Sequence, residues 1–155
     1  MNGASIPGLA RLVASCFGVG YAPRAPGTAG SLAALAIGAA ILAYAPGWLP
    51  PAILLASLIG LWAVTAGQVG NDPGWVVIDE VAGQWLALLP LHKASWLGLA
   101  AAFALFRLFD IAKPGPVGWA DRQHNPAGIM ADDLMAGAIA AGILWAAQRL
   151  LPTLF

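Results

Sequence analysis

The sequence predicts an all-α, polytopic membrane bundle of about four to five apolar helices with a short interfacial helix at its N-terminus. Three observations carry this expectation. Of 155 residues, 60% are hydrophobic and 9% are charged, against roughly 45–50% and about 25% in soluble globular domains. The apolar residues fall into runs separated by Gly/Pro turns, several of them near the length of about 20 residues that carries a helix across a bilayer. The few charges collect at the mouths of those runs. The length suits a single domain over residues 1–155.

Composition also excludes several classes. The formal net charge is zero, so no basic surface points to nucleic acid. The single cysteine, Cys16, forbids an internal disulfide and is expected to pack. The first eight residues lack a basic stretch and are interrupted by Pro7, unlike a secretory signal. The apolar segments are therefore expected to remain in the mature protein.

Residues 6–17 are apolar, carry Arg11 and are too short to cross, which suits an interfacial helix. Residues 17–31 hold four glycines and two prolines and are expected to be irregular. Crossings are then expected over residues 29–45 and 51–69, with Trp48 in the turn between them. Residues 70–74 form a turn-rich loop. Residues 75–91 are apolar except for Asp79, Glu80 and Gln84 and are marginal in length; His92 and Lys93 make a turn. Residues 96–109 form a fourth apolar run, 110–133 the longest polar segment, and 134–151 the last crossing. Five alternating crossings place the Gly-rich loop, Asp79-Glu80 and the segment from Arg107 to Asp133 on one side. Arg11, Arg24, Arg107, Lys113 and Arg122 share that side, whereas Lys93 and Arg149 lie opposite, so the polar side is expected to be cytoplasmic.

Four motifs carry chemistry. Arg107, Asp110 and Lys113 recur at helical spacing and share a face; charge at a membrane mouth marks a functional site, although an Arg–Asp helix pair with a snorkelling lysine has the same pattern. Asp79-Glu80 begins an apolar helix, as helix-capping acids or as ligands of a hard cation such as Mg²⁺. Asp132-Asp133 offers the same choice, with Asp132 expected to be an N-cap and Asp133 free to face a cavity. Asp121 reads as a solvated loop acid. Gly27, Thr28, Gly30 and Ser31 lead into a helix, as a tight capped loop or as a phosphate cradle of backbone N–H and hydroxyl groups. No Walker A lysine, serine elbow or cysteine phosphatase loop occurs. Carboxylates, cations and a Gly/Thr/Ser loop together suit metal-assisted phosphate chemistry.

These motifs, Phe17-Gly-x-Gly-x-x-Pro-x-x-Pro-Gly-Thr-x-Gly-Ser31, Ile78-Asp-Glu80, Arg107-x-Phe-Asp110-x-x-Lys-Pro114 and Gly128-Ile-Met-x-Asp-Asp133-x-x-Ala-Gly137, resemble the phosphatidylglycerophosphatase A family in order along most of the chain. The resemblance implies a Mg²⁺-dependent lipid phosphatase of the bacterial inner membrane, acting on the terminal phosphate of phosphatidylglycerophosphate to give phosphatidylglycerol. Its partners would be the phospholipid substrate and the bilayer. On this reading Asp79, Glu80, Asp110 and Asp133 hold Mg²⁺, Arg107 and Lys113 meet the phosphate, and Gly27, Thr28, Gly30 and Ser31 cap it. Two other classes fit the composition. One is another membrane lipid-phosphate enzyme, such as a phosphotransferase with a closely spaced aspartate run; here Asp110, Asp121 and Asp132 are spread through a long segment. The other is a lipid or anion transporter built on broken helices.

Overall fold

The computed structural model of the chain describes residues 6–70 and 73–151. The start of the N-terminal segment, two residues of the 70–74 loop and the last four residues lie outside the described residues. Among those described there are seven α-helices and no strand: α1 Ile6–Ala14, α2 Pro26–Tyr44, α3 Leu49–Ala66, α4 Ile78–Leu88, α5 Trp96–Ala112, α6 Pro116–Asp121 and α7 Pro126–Leu150. Among the described residues, three segments are long and apolar enough to cross a bilayer: Pro26–Tyr44, Pro46–Ala66 and Pro126–Leu150. Helix α4 has 11 residues, about 16 Å at 1.5 Å per residue, and α5 has 17.

Helix α4 is the centre of the bundle, packed against α2, α3, α5 and α7. Most of it is buried in protein, including Asp79, Glu80 and Gln84. The apolar run over residues 75–91 is thus a short core helix, stopped by Pro90, which cannot continue a helical ladder. Its closest approach is to α7. A Cβ on Gly83 would lie 2.6 Å from the Asp133 carbonyl oxygen, and one on Gly137 would strike the Gly83 carbonyl. Small residues let the backbones meet, which brings Asp133 against the acidic start of α4.

The helix boundaries depart from expectation in two places. Residues 26–31 are the first turns of α2 and not an irregular loop. Ala25 turns the chain with a left-handed φ of 47° and Pro26 opens the helix, a position where a proline loses no hydrogen bond. Helix α7 begins eight residues before Leu134. Asn125 caps it, its side chain accepting from the Gly128 N–H at 2.8 Å, and Pro126 follows. Asp132 is therefore inside the helix and is not its N-cap.

Helix α1 buries Ala10 and Ala14 and exposes Ile6, Leu9 and Leu12. Arg11 ties it to the end of α3 by donating from Nε to the Gly67 carbonyl at 2.9 Å. Leu54, Leu55 and Leu58 on α3 are exposed, as suits a surface whose solvent is lipid. Tyr44, Trp48 and Trp96, also exposed, lie at the bundle end away from the N-termini of α2 and α4, an interfacial aromatic position.

Candidate active site

The N-terminal turns of α2 and α4, the end of α5 and the second turn of α7 converge on one cleft of about 270 Å³. Asp79, Glu80, Arg107, Asp110, Lys113, Asp132 and Asp133 line it, with Pro26 and Gly27 at its edge. Oxygens of Glu80, Asp110 and Asp133 all lie within 4.8 Å of one another. These three residues come from three helices, and only folding brings them together.

Arg107 holds two of the three. Its Nη1 donates to Glu80 Oε1 at 2.6 Å and Oε2 at 2.7 Å and to Asp110 Oδ2 at 2.6 Å. Nη2 has no hydrogen-bond partner among the described residues. Ser31 is fully buried. Its hydroxyl lies 2.5 Å from Glu80 Oε2 and 2.8 Å from the Gly27 carbonyl, two acceptors for one proton. Asp79 stands beside the triad and accepts the Glu80 N–H on Oδ1 at 2.9 Å. The charge of Asp79 is thus held at the helix N-terminus, where the dipole favours anions.

Lys113 forms a second group at the edge. It follows α5 with a left-handed φ of 46°, and its ammonium bonds to Asp121 and, at 2.9 Å, to Asp132 Oδ2. Burial works against its charge, but the hydrogen bonds and charges of these two acids outweigh burial and raise its pKa above the ordinary lysine value. Asp121 is an ion-pair partner at the end of α6 and not an unpaired loop acid. Sequence reasoning missed both roles. The signal for Asp132 was Asn125-Pro126, a cap followed by an N1 proline, which starts α7 early and carries Asp132 two turns inside.

The Gly/Thr/Ser segment divides. Gly27 borders the cleft; a Cβ there would strike Glu80 Oε1 and lie 3.3 Å from both terminal nitrogens of Arg107. Gly30 packs on Val77, whose Cβ is 2.7 Å from where a Gly30 Cβ would be. Ser31 turns to Glu80, and Thr28 is not among the cleft's lining residues.

Five lining carboxylates, Asp79, Glu80, Asp110, Asp132 and Asp133, face two cations, Arg107 and Lys113. Asp133 Oδ2 is buried with no hydrogen-bond partner among the described residues. Buried, uncompensated negative charge is costly. An all-oxygen donor set with one orphaned carboxylate oxygen fits a hard divalent cation such as Mg²⁺.

Known proteins resemble the chain over most of its length. The family described as phosphatidylglycerophosphatase A matches residues 12–148. The chain is 40% identical over 139 residues to phosphatidylglycerophosphatase A of Escherichia coli K12, covering 86% of this chain and 80% of that protein. It is 38% identical over 146 residues to phosphatidylglycerophosphatase A of Haemophilus influenzae, covering 88% and 87%. A Bacteroides thetaiotaomicron protein, provisionally named a phosphatidylinositol-3-phosphatase, is 39% identical over 135 residues, covering 81% and 85%. No solved structure matches the chain. With a matched profile over nearly its whole length and relatives near 40% identity, the chain belongs to the phosphatidylglycerophosphatase A family and is a membrane lipid phosphatase.

Proposed function

We propose that this enzyme hydrolyses the terminal phosphate monoester of phosphatidylglycerophosphate, giving phosphatidylglycerol and phosphate in phospholipid biosynthesis, with Mg²⁺ held by Glu80, Asp110 and Asp133. The observation that carries the reading is the convergence of those three carboxylates beside Arg107 in one cleft. When bound, Mg²⁺ would supply Lewis-acid charge and lower the pKa of a bound water. The chain's own residues do the positioning. Arg107 Nη2, free of protein partners among the described residues, meets a phosphate oxygen, while Nη1 keeps Glu80 and Asp110 in place. Ser31 fixes the Glu80 carboxylate through Oε2, the same oxygen that Arg107 Nη1 reaches at 2.7 Å. Lys113 stands at the cleft edge as a second cation, steered by Asp121 and Asp132. Gly27 leaves room for the phosphate where any side chain would fill the space.

The same reading places the enzyme in the bacterial cytoplasmic membrane with its cleft on the cytoplasmic side. Arg11, Arg24, Arg107, Lys113 and Arg122 lie at the cleft end of the bundle, Lys93 and Arg149 at the other, the bias expected of a cytoplasmic face. The direct test is phosphate release by the purified protein in detergent, from phosphatidylglycerophosphate, with Mg²⁺ and with chelator. Release that requires the metal supports the proposal. Release from phosphatidylinositol 3-phosphate in preference would reassign the headgroup, as the name of the Bacteroides relative suggests. Lipid binding without release from either lipid would favour a transporter.

A further inference from the structure

A second cavity lies on the other side of the first turn of α4. It measures about 490 Å³ and runs between α2 and α3 over the flank of α4, within the range of roughly 300–1,000 Å³ usual for ligand sites. Among the described residues, no charged or hydroxyl-bearing side chain lines it. Helices α2 and α3 are joined by one short turn yet barely touch, because α4 packs between them. Ala33, Ala52 and Ala56 line the opening between them, where larger residues would close it.

The floor is built to be apolar. Trp85 lines the groove, and its Nε1 donates to the Ala34 carbonyl at 2.8 Å. The one polar atom of the indole is thereby consumed, and the ring offers carbon to the cavity. The roof is the turn that ends α1. Cys16, Phe17 and Gly18 all have positive φ, at 49°, 57° and 99°, and Phe17 is 78% exposed above the mouth. These left-handed residues end α1: the Cys16 N–H donates to the Val13 carbonyl at 2.9 Å and the Phe17 N–H to the Leu12 carbonyl at 2.8 Å, the bonds of a left-handed helix terminus.

The groove and the cleft share walls. On α4, Asp79 and Glu80 line the cleft while Ile78 and Val81 line the groove; on α2, Gly27 borders the cleft and Gly30, one turn on, the groove. A ligand that is charged at one end and hydrocarbon at the other matches this pairing. We propose that the groove between α2 and α3 is the subsite for an acyl chain of the lipid whose phosphate occupies the cleft. The proposal rests on the phosphatase reading. It makes the α2–α3 opening the lateral entry for substrate and makes chain length a determinant of KM.

The test fills the groove. Ala33→Phe and Ala52→Phe each place a ring in the cavity from a partly buried position that does not line the cleft. With long-chain phosphatidylglycerophosphate in mixed micelles, KM should rise roughly tenfold or more, the scale of a pocket misfit of one or two methylenes. With the dihexanoyl homologue, kcat/KM should stay within about twofold of the parent enzyme. A second measurement does not depend on turnover. A diazirine-tailed phosphatidylglycerophosphate should label the groove walls, and unlabelled long-chain phosphatidylglycerophosphate should suppress that labelling while diacylglycerol should not. Unchanged KM for the long-chain lipid, equal losses on both lipids, or labelling that competitors leave untouched would each overturn the subsite. A parent enzyme that releases no phosphate from either lipid would instead overturn the phosphatase reading, a separate and recognisable failure.

Discussion

One guanidinium nitrogen of Arg107 lies 2.6 and 2.7 Å from the two carboxylate oxygens of Glu80. The pair joins the end of α5 to the start of α4, and the same nitrogen reaches Asp110. On the proposed function Arg107 would do two jobs, one for the acids and one, through Nη2, for an incoming phosphate. Arg107→Lys keeps the charge but loses the planar fork. It should fold and lose activity by roughly 100-fold, the scale of a misplaced positioning group. Arg107→Ala should also destabilise the protein, by about 3–5 kcal/mol, because Glu80 and Asp110 would be left without their cation. Thermal unfolding in detergent and phosphate release separate the two effects.

Gly27→Ala separates helix propensity from site geometry. Within a helix this change ordinarily stabilises by about 0.5–1 kcal/mol. Here the new methyl group would strike Glu80 Oε1 and sit 3.3 Å from the Arg107 nitrogens. The variant should stay folded and lose most of its activity. Gly142→Ala, whose Cβ would meet nothing within 4 Å, should leave turnover unchanged. Equal activity of the two variants would remove Gly27 from the site.

Much of this arrangement was legible in the sequence because it is local. Asp79-Glu80 at a helix start, Arg107 and Asp110 one turn apart, and the aromatic turn at Trp48 all follow from spacing along the chain. What was not legible depends on which helices touch. Nothing near residue 31 says that Ser31 meets Glu80; that requires α4 to lie in the centre of the bundle, which in turn follows from the contact of Gly83 with Gly137. The partners of Lys113 were hidden for a related reason. Helical spacing aligned it with Asp110, but its left-handed backbone turns it out of α5 toward Asp121 and Asp132.

That turn gives Lys113→Ala a specific outcome. Turnover should fall because a cation is lost at the cleft edge, and stability should fall by more than the roughly 1 kcal/mol of an exposed pair, since Asp121 is partly solvated but Asp132 is buried. Normal kcat/KM at equal protein would leave Lys113 a structural tie between α5, α6 and α7.

Cys16 supplies a pH signature. Burial, and then the charges of Asp79 and Glu80, push its thiol up to about 12 from 9.0. The folded chain thus holds this proton more tightly than the unfolded chain. Its contribution to stability is fully present below pH 9 and is lost as pH rises toward 12. Subtracting the stability–pH curve of Cys16→Ala from that of the parent protein should give a flat difference below pH 9 and a declining one above it. At pH 8 iodoacetamide should alkylate the folded protein far more slowly than the denatured one, because the thiolate is the nucleophile.

The sharpest distinction concerns the carboxylates. Glu80→Gln, Asp110→Asn and Asp133→Asn preserve size while removing charge from the triad that lies within 4.8 Å. An amide is a poor substitute for a carboxylate around a hard dication, so each change should lower activity by orders of magnitude, with partial recovery as Mg²⁺ is raised. Their effects should combine non-additively, as for residues acting as a unit. Asp79 has a different geometry. It lies outside the triad, and its Oδ1 accepts the Glu80 N–H, a role that asparagine fills about as well as aspartate at helix starts. Asp79→Asn should therefore lose less activity than the other three and show little change in its Mg²⁺ requirement. The measurement is phosphate release against Mg²⁺ concentration for all four variants, alongside direct Mn²⁺ binding followed by electron paramagnetic resonance. If the triad variants bind Mn²⁺ as the parent protein does, the metal lies elsewhere; if Asp79→Asn loses Mn²⁺ as fully as they do, Asp79 is a fourth ligand that moves inward when the cation binds.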